Sequence, residues 1–137
     1  MKPDPHPDFP TDVLHRGLVA TLGIAFTKLD AEEVIATMPV TPQHHQPFGV
    51  LHGGASVVLA ESIASVGGTL NCAPGKAAFG LEINANHIRS VRDGVVRGVG
   101  TPLHRGRTTQ VWDVKLYDDR DRLICVSRCT LAVVNQR

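Results

Sequence analysis

The chain has 137 residues, 42% apolar and 20% charged, which is enough for one domain with one core. Lys plus Arg is 14 and Asp plus Glu is 13; the net charge of +1 excludes a global drive toward nucleic acid or a membrane surface and leaves room for a local anion site. Four Phe, one Tyr and one Trp are too few for a base-stacking surface.

Residues 1–10 carry four prolines and no apolar run. They read as a Pro-rich tail, not a signal peptide, ahead of a single domain over 11–137. Thr11 or Asp12 is expected to cap a short helix through Val13, Leu14, Leu18 and Val19 that ends near Gly23. Residues 24–29 and 34–39 are strand-like and form a hairpin around Asp30-Ala31-Glu32. A polar loop over 41–49 leads into an apolar helix from about 54 to 70. The Gly67-Gly68 pair weakens its last turns. After the loop at Pro74-Gly75 the chain is almost all strand, over 77–89, 95–103, 108–117 and 123–134. A turn at Asp93-Gly94, a basic break over 104–107 and a charged hairpin loop over 118–121 divide these strands. Pro102 suggests an edge or a bend. Cys72, Cys125 and Cys129 are odd in number and include no CxxC, which points to a reducing, cytoplasmic setting without a disulfide framework.

A hairpin, one long helix and about four more antiparallel strands make an α+β fold in which a sheet curls around the helix. Val57, Val58, Leu59, Ala60, Ile63, Ala64 and Val66 leave that helix almost no polar face, so it is expected to be buried nearly all round. It is too short and too Gly-flanked to span a membrane. One small sheet covers one side only. A homodimer is therefore expected, with the helices facing each other or the sheets joined edge to edge.

The helix carries one acid, Glu61, which is costly there unless something uses or satisfies it. It suits attack on a carbonyl carbon, as nucleophile or as the base that activates water. Its bland alternative is a buried acid paired with an Arg. Free N–H groups at the helix start suit the complementary task of polarising a carbonyl oxygen. Gly53 and Gly54 let a substrate approach that backbone. Glu61 follows Gly53 by eight residues, roughly 12 Å along one helix. One carbonyl cannot touch both ends. Two antiparallel helices across a two-fold axis would instead build two shared sites. Ser65 lies one turn after Glu61 on the same face, where it orients the acid or a water, or satisfies a backbone carbonyl. His44, His45 and His52 with Glu61 lack HxxH or HExxH spacing, so no metal site is expected. Gly98-Val99-Gly100 sits inside a strand and is not a dinucleotide motif.

The stretch His45-Gln46-Pro47-Phe48-Gly49-Val50-Leu51-His52-Gly53-Gly54-Ala55-Ser56, followed by Leu59-Ala60-Glu61, resembles hotdog thioesterases of the 4-hydroxybenzoyl-CoA type with a helix-borne glutamate. It is particularly similar to the bacterial branch of 1,4-dihydroxy-2-naphthoyl-CoA hydrolases and enterobactin proofreading thioesterases. The resemblance covers residues 20–135 and implies a hotdog fold: a central helix wrapped by a curved antiparallel sheet of five to six strands. It implies hydrolysis of an acyl-CoA thioester, with an aromatic acyl group suggested by the family's members, and no cofactor apart from the CoA carried by the substrate. The family's catalytic acid, loop glutamine, loop histidine and carbonyl-polarising amide fall on Glu61, Gln46, His52 and Gly53, and its hydroxyl falls on Ser65. His52 is expected to orient the thioester; its plainer role is to fix the loop or cap the helix. The branch's CoA contacts fall on Gly80, on His87, Ile88, Arg89 and Ser90, and on His104, Arg105, Gly106, Arg107, Thr108 and Thr109. Ile88-Arg89-Ser90 departs from the His-Arg-Pro of close relatives but keeps the cation. Arg89, Arg105 and Arg107, and less so Arg97, suit the phosphates of CoA; scattered surface charge is the plain alternative. The branch is commonly tetrameric, which implies a dimer of dimers. A non-catalytic acyl-CoA binding module, a carrier-protein thioester hydrolase and a hotdog dehydratase are the rival readings. Intact Glu61, Gln46 and His52 argue against the first; the last would want a His/Asp or His/Glu catalytic pair, to which this loop-helix motif is a poorer fit.

Overall fold

The computed structural model describes residues 10–136; the expected Pro-rich tail over 1–10 lies almost wholly outside them. The first helix is not continuous. Thr11–His15 form a 3-10 turn, and a separate short helix α1 covers Gly17–Thr21. Gly17, at φ 60, breaks the run, a conformation that costs glycine little. Neither Thr11 nor Asp12 caps it: the N-cap is Pro10, with no side-chain bond, and Asp12 instead pairs with Arg16.

Strands β1 (Ala25–Leu29) and β2 (Val34–Pro39) form the expected hairpin. Val34, Ala36 and Met38 are fully buried on the inner face of β2, as their alternation requires. A 3-10 turn at Pro42–His44 precedes helix α2 (Gly53–Leu70). Strands β3 (Lys76–His87), β4 (Val95–Arg105), β5 (Thr109–Tyr117) and β6 (Leu123–Asn135) follow. All pair antiparallel in one sheet of order β1-β2-β4-β5-β6-β3. One long helix packed on a six-stranded antiparallel sheet is the expected α+β architecture. Pro102 lies beyond the reach of β2, whose pairing with β4 stops at Gly100, and at a register shift against β5. Both the edge and the bend are therefore real.

Leu59, Ala60, Ile63 and Ala64 of α2 are fully buried against Val96, Trp112, Val114, Leu116 and Leu131 of the sheet. The helix needs glycine beneath it to come this close. A Cβ at Gly98 would lie 2.4 Å from Ile63 Cδ1, and one at Gly100 would lie 2.5 Å from Ile63 Cγ2. Those two glycines of β4 are thus a packing device. At the other end of α2, buried Gln110 donates to Gly68 O at 3.0 Å and accepts from Trp112 Nε1–H at 3.0 Å.

Helix α2 is not buried all round within one chain. Buried and half-buried residues alternate in pairs along it, leaving Val57, Val58, Glu61, Ser62, Ser65, Val66 and Thr69 on a half-open face. Its 18 residues, with a mean hydropathy of 1.2, match a membrane-crossing helix in length and composition. Here its closed face is the centre of the core. Strand β3 is one of the two sheet edges, opposite β1, and Phe79 and Leu81 on it are 61% and 65% exposed.

Candidate active site

The loop before α2 is a small hairpin. His45 bridges Leu51, Gln46 N–H donates to Val50 O at 2.8 Å, and Gly49 N–H donates to Gln46 O at 2.9 Å. Gly49 closes the turn at φ 81. Gln46 Oε1 accepts from Phe48 N–H, which holds the side chain over its own turn and leaves the amide NH2 to point elsewhere. Phe48, at the tip, is 89% exposed. His44 is a buried structural residue: its Nδ1 accepts from Thr41 N–H at 3.2 Å, so its Nε2–H donates to Leu22 O at 2.8 Å. His45 Nε2 bonds Arg92 O at 2.7 Å. Among the described residues no three His, Cys, Asp or Glu side chains are grouped to hold a metal ion.

His52 is the N-cap of α2. Its Nδ1 accepts from Gly54 N–H at 2.8 Å, and its carbonyl accepts from Ala55 N–H at 3.0 Å. The capping reading of His52 is thus present in the geometry. The Gly53 N–H donates to no group among the described residues. One free N–H therefore stands at the positive end of an 18-residue helix. The ring of His87 lies against it: a Cβ at Gly53 would be 2.7 Å from His87 Nε2.

Glu61 occupies a different place. It lies on the half-open face of α2, in a groove of about 800 Å3. Val57, Val58, Val66, Phe26 and Phe79 make its apolar walls, together with Leu14 and Val19 from the N-terminal turns. The carboxylate has no ion pair and no hydrogen bond among the described residues, so the Arg-paired alternative is absent there. Gly80 of β3 passes directly beside it, where a Cβ would lie 2.6 Å from Glu61 Oε2. Cys129 is fully buried on the neighbouring strand β6. Burial, with the charges of Glu61 and Glu82 adding to it, pushes that thiol up to about 12. It is therefore no nucleophile at neutral pH. Ser65 lines the groove and its hydroxyl bonds nothing among the described residues; its carbonyl accepts from Thr69 Oγ1 at 2.9 Å. Ser62, next to Glu61, also lines the groove and was not foreseen in the sequence. The usable signal was spacing: Ser62, Ser65 and Thr69 recur at three and four residues on the acid's face.

None of Gln46, His52 and Gly53 lines this groove. Within one chain Glu61 and the Gly53 N–H are therefore separate, as their spacing requires. The CoA-contact positions implied by family resemblance also divide. Gly80 sits beside Glu61. His87 pairs with Cys125 at one end of β6, whereas Thr109 pairs with Ala132 at the other. Seven residues of strand separate these rows, about 23 Å. One chain therefore does not bring His87, Ile88, Arg89 and Ser90 together with His104, Arg105, Gly106, Arg107, Thr108 and Thr109. Ile88 and Arg89 are tied by their N–H groups to Ile124 O, and both side chains are exposed. In the β4–β5 turn, Gly106 N–H donates to Thr109 O at 2.9 Å and the ring of His104 covers Gly106. Arg105 is engaged within the chain, paired to Glu32 and donating to Asn71 Oδ1 at 3.2 Å. Arg97 pairs with Asp121 at 3.0 Å and lies 5.1 Å over Tyr117. Arg89 and Arg107 have no such partner among the described residues.

An unpaired carboxylate in an apolar groove and one unused N–H at the start of the same helix, packed on this sheet, suit a thioester hydrolase. The family model described as the thioesterase superfamily matches residues 48–125, more than half of the chain, and the chain belongs to that family. A 1,4-dihydroxy-2-naphthoyl-CoA hydrolase of Escherichia coli is 52% identical over 117 residues, 85% of this chain and 86% of that protein. A proofreading thioesterase, EntH, of Cronobacter turicensis is 49% identical over 117 residues, 85% of each. The crystal structure of a thioesterase from Haemophilus influenzae superposes with a TM-score of 0.87 at 46% identity, covering 91% of this chain and 87% of that one.

Proposed function

We propose that this protein hydrolyses an acyl-CoA thioester to free acid and CoA, with Glu61 of one chain and the Gly53 N–H of a second copy acting on the same carbonyl. The observation that carries this reading is the Glu61 carboxylate, unpaired in an apolar groove, on the same helix as an unused N–H eight residues away. The second copy completes the site. It adds its strand to the open apolar edge of β3, as a dimer of continuous sheet would, and dimers pair further into a tetramer.

The chemistry needs few parts. Gly53 N–H holds the carbonyl oxygen as it gains negative charge. Glu61 either takes a proton from water, whose oxygen then bonds to the carbonyl carbon, or bonds to that carbon itself to give a mixed anhydride that water opens. In both routes the C–S bond breaks, the thiolate of CoA leaves and takes up a proton. Gln46, through its unused NH2, and His52, through its cap, fix the donor loop around the thioester. Ser65 orients Glu61 or the water. Arg89 and Arg107 are the cations left free to meet phosphate, each from a different chain at a shared site. No cofactor beyond the CoA of the substrate enters. Glu61 is the charged group among the groove's walls, so the acyl part is uncharged, and Phe26 and Phe79 suit an aromatic one. A relative named 1,4-dihydroxy-2-naphthoyl-CoA hydrolase supports that choice. Three free cysteines fit the cytoplasm.

CoA release, followed with a thiol reagent over a panel of aryl- and alkyl-CoAs, tests this reading. Wild type should turn over aryl-CoA, and Glu61→Gln should lower kcat by about 10²–10⁴-fold. Wild type without turnover on any thioester would instead mean a binding module.

A further inference from the structure

Oxyanion sites commonly offer more than one donor, and the N-terminus of α2 is short of them. The Gly54 N–H is already taken by His52 Nδ1, which leaves Gly53 alone on the backbone. A side-chain donor that packs against Gly53 is His87, the last residue of β3. Its place is set by the backbone: β3 is held to β6 by pairing of His87 with Cys125, and the next residue donates to Ile124 O at 2.7 Å. The ring reaches Gly53 because that residue has no Cβ; the space a Cβ would fill is 2.7 Å from Nε2. In a helix the Cα–Cβ direction leans toward the N-terminus, the same way the free N–H points. The ring and the Gly53 N–H therefore border one space. His87 is exposed and makes no hydrogen bond among the described residues, so Nε2 is free to donate.

Resting on the thioesterase reading above, we infer that His87 is a catalytic residue whose Nε2–H gives the thioester oxygen its second hydrogen bond beside Gly53 N–H, in place of a contact to the nucleotide of CoA. No proton changes hands in this step. The imidazole donates a hydrogen bond that tightens as the carbonyl oxygen becomes an oxyanion and relaxes when the C–S bond breaks.

The test compares acyl-CoA with the N-acetylcysteamine thioester of the same acid, which lacks the nucleotide. His87→Ala should lower kcat on acyl-CoA about 10²-fold, near the loss of one oxyanion donor, with KM within about twofold. The short thioester should lose the same factor in kcat/KM. His87→Gln, which keeps an N–H donor, should recover most of the loss. A raised KM for acyl-CoA with unchanged turnover of the short thioester would overturn the inference and return His87 to CoA binding. Equal losses in the Ala and Gln variants, both unfolding like wild type, would also overturn it. Glu61→Gln is run beside them. If it is inactive while His87→Ala is normal, this inference alone fails; if it is fully active, the thioesterase mechanism beneath it fails too.

Discussion

Gly80 shows how closely the site is set by backbone. It is the point where β3 runs past the carboxylate of Glu61, with room for a hydrogen atom and no more. Gly80→Ala puts a methyl group 2.6 Å from Oε2 of a flexible side chain, so the carboxylate moves and the fold does not. The expected outcome is a loss of about 10²-fold in kcat with an unchanged unfolding midpoint, since a 1 Å misplacement costs about that much. The cysteines make a second residue-scale prediction. Burial raises all three thiols, Cys129 to about 12. In the unfolded chain Cys129 ionises near its ordinary 9.0, so between pH 9 and 12 the unfolded state binds fewer protons and stability falls as pH rises. Cys129→Ala should flatten that fall in urea melts taken from pH 8 to pH 11. At this scale much was legible. A single acid in an apolar helix marks itself, and so does the Gly-Gly helix start. Ser62 was legible only as a spacing with Ser65 and Thr69, because its exposure depends on which half of α2 the sheet covers, and that is fixed by Gly98 and Gly100 on a distant strand.

Two elements carry the geometry, α2 and the sheet beneath it. The cap at His52 and the glycine contacts toward the other end hold the helix in place. Replacing His52 by Ala removes the bond to Gly54 N–H and should cost about 0.5–2 kcal/mol in denaturant unfolding. Its effect on kcat is separate, because a freed Gly54 N–H is a new donor. Gly67→Ala should destabilise by about 1–3 kcal/mol without touching the site, because its Cβ would stand 2.4 Å from the rigid ring of Trp112. The strands could be read because one face of each is buried: Trp112, Val114 and Leu116 alternate with half-buried or exposed neighbours. The break in the N-terminal helix could not, because nothing local distinguishes a helical Gly17 from one at φ 60. Strand order was also hidden. The placement of β3 beside β6 comes from non-local pairing, and it is this that sends His87 and Thr109 to opposite ends of the sheet.

For the whole molecule the decisive quantity is the roughly 12 Å of helix between Gly53 and Glu61. That spacing, the half-open face of α2 and the apolar edge of β3 belong to one account: a single chain holds both halves of the chemistry and cannot apply both to one carbonyl. A mixed dimer tests this most directly. One chain carries Glu61→Gln and a second carries Gln46→Ala with Gly53→Ala, whose methyl group fills the space beside the Gly53 N–H; each homodimer is first verified to be inactive, and the doubly tagged heterodimer is purified and assayed for CoA release. A shared site leaves the heterodimer with one intact site of two, so it should regain about half the wild-type kcat per dimer, each site acting alone. A verified heterodimer as inactive as its parents would contradict the account, placing Glu61 and its carbonyl donor in the same chain.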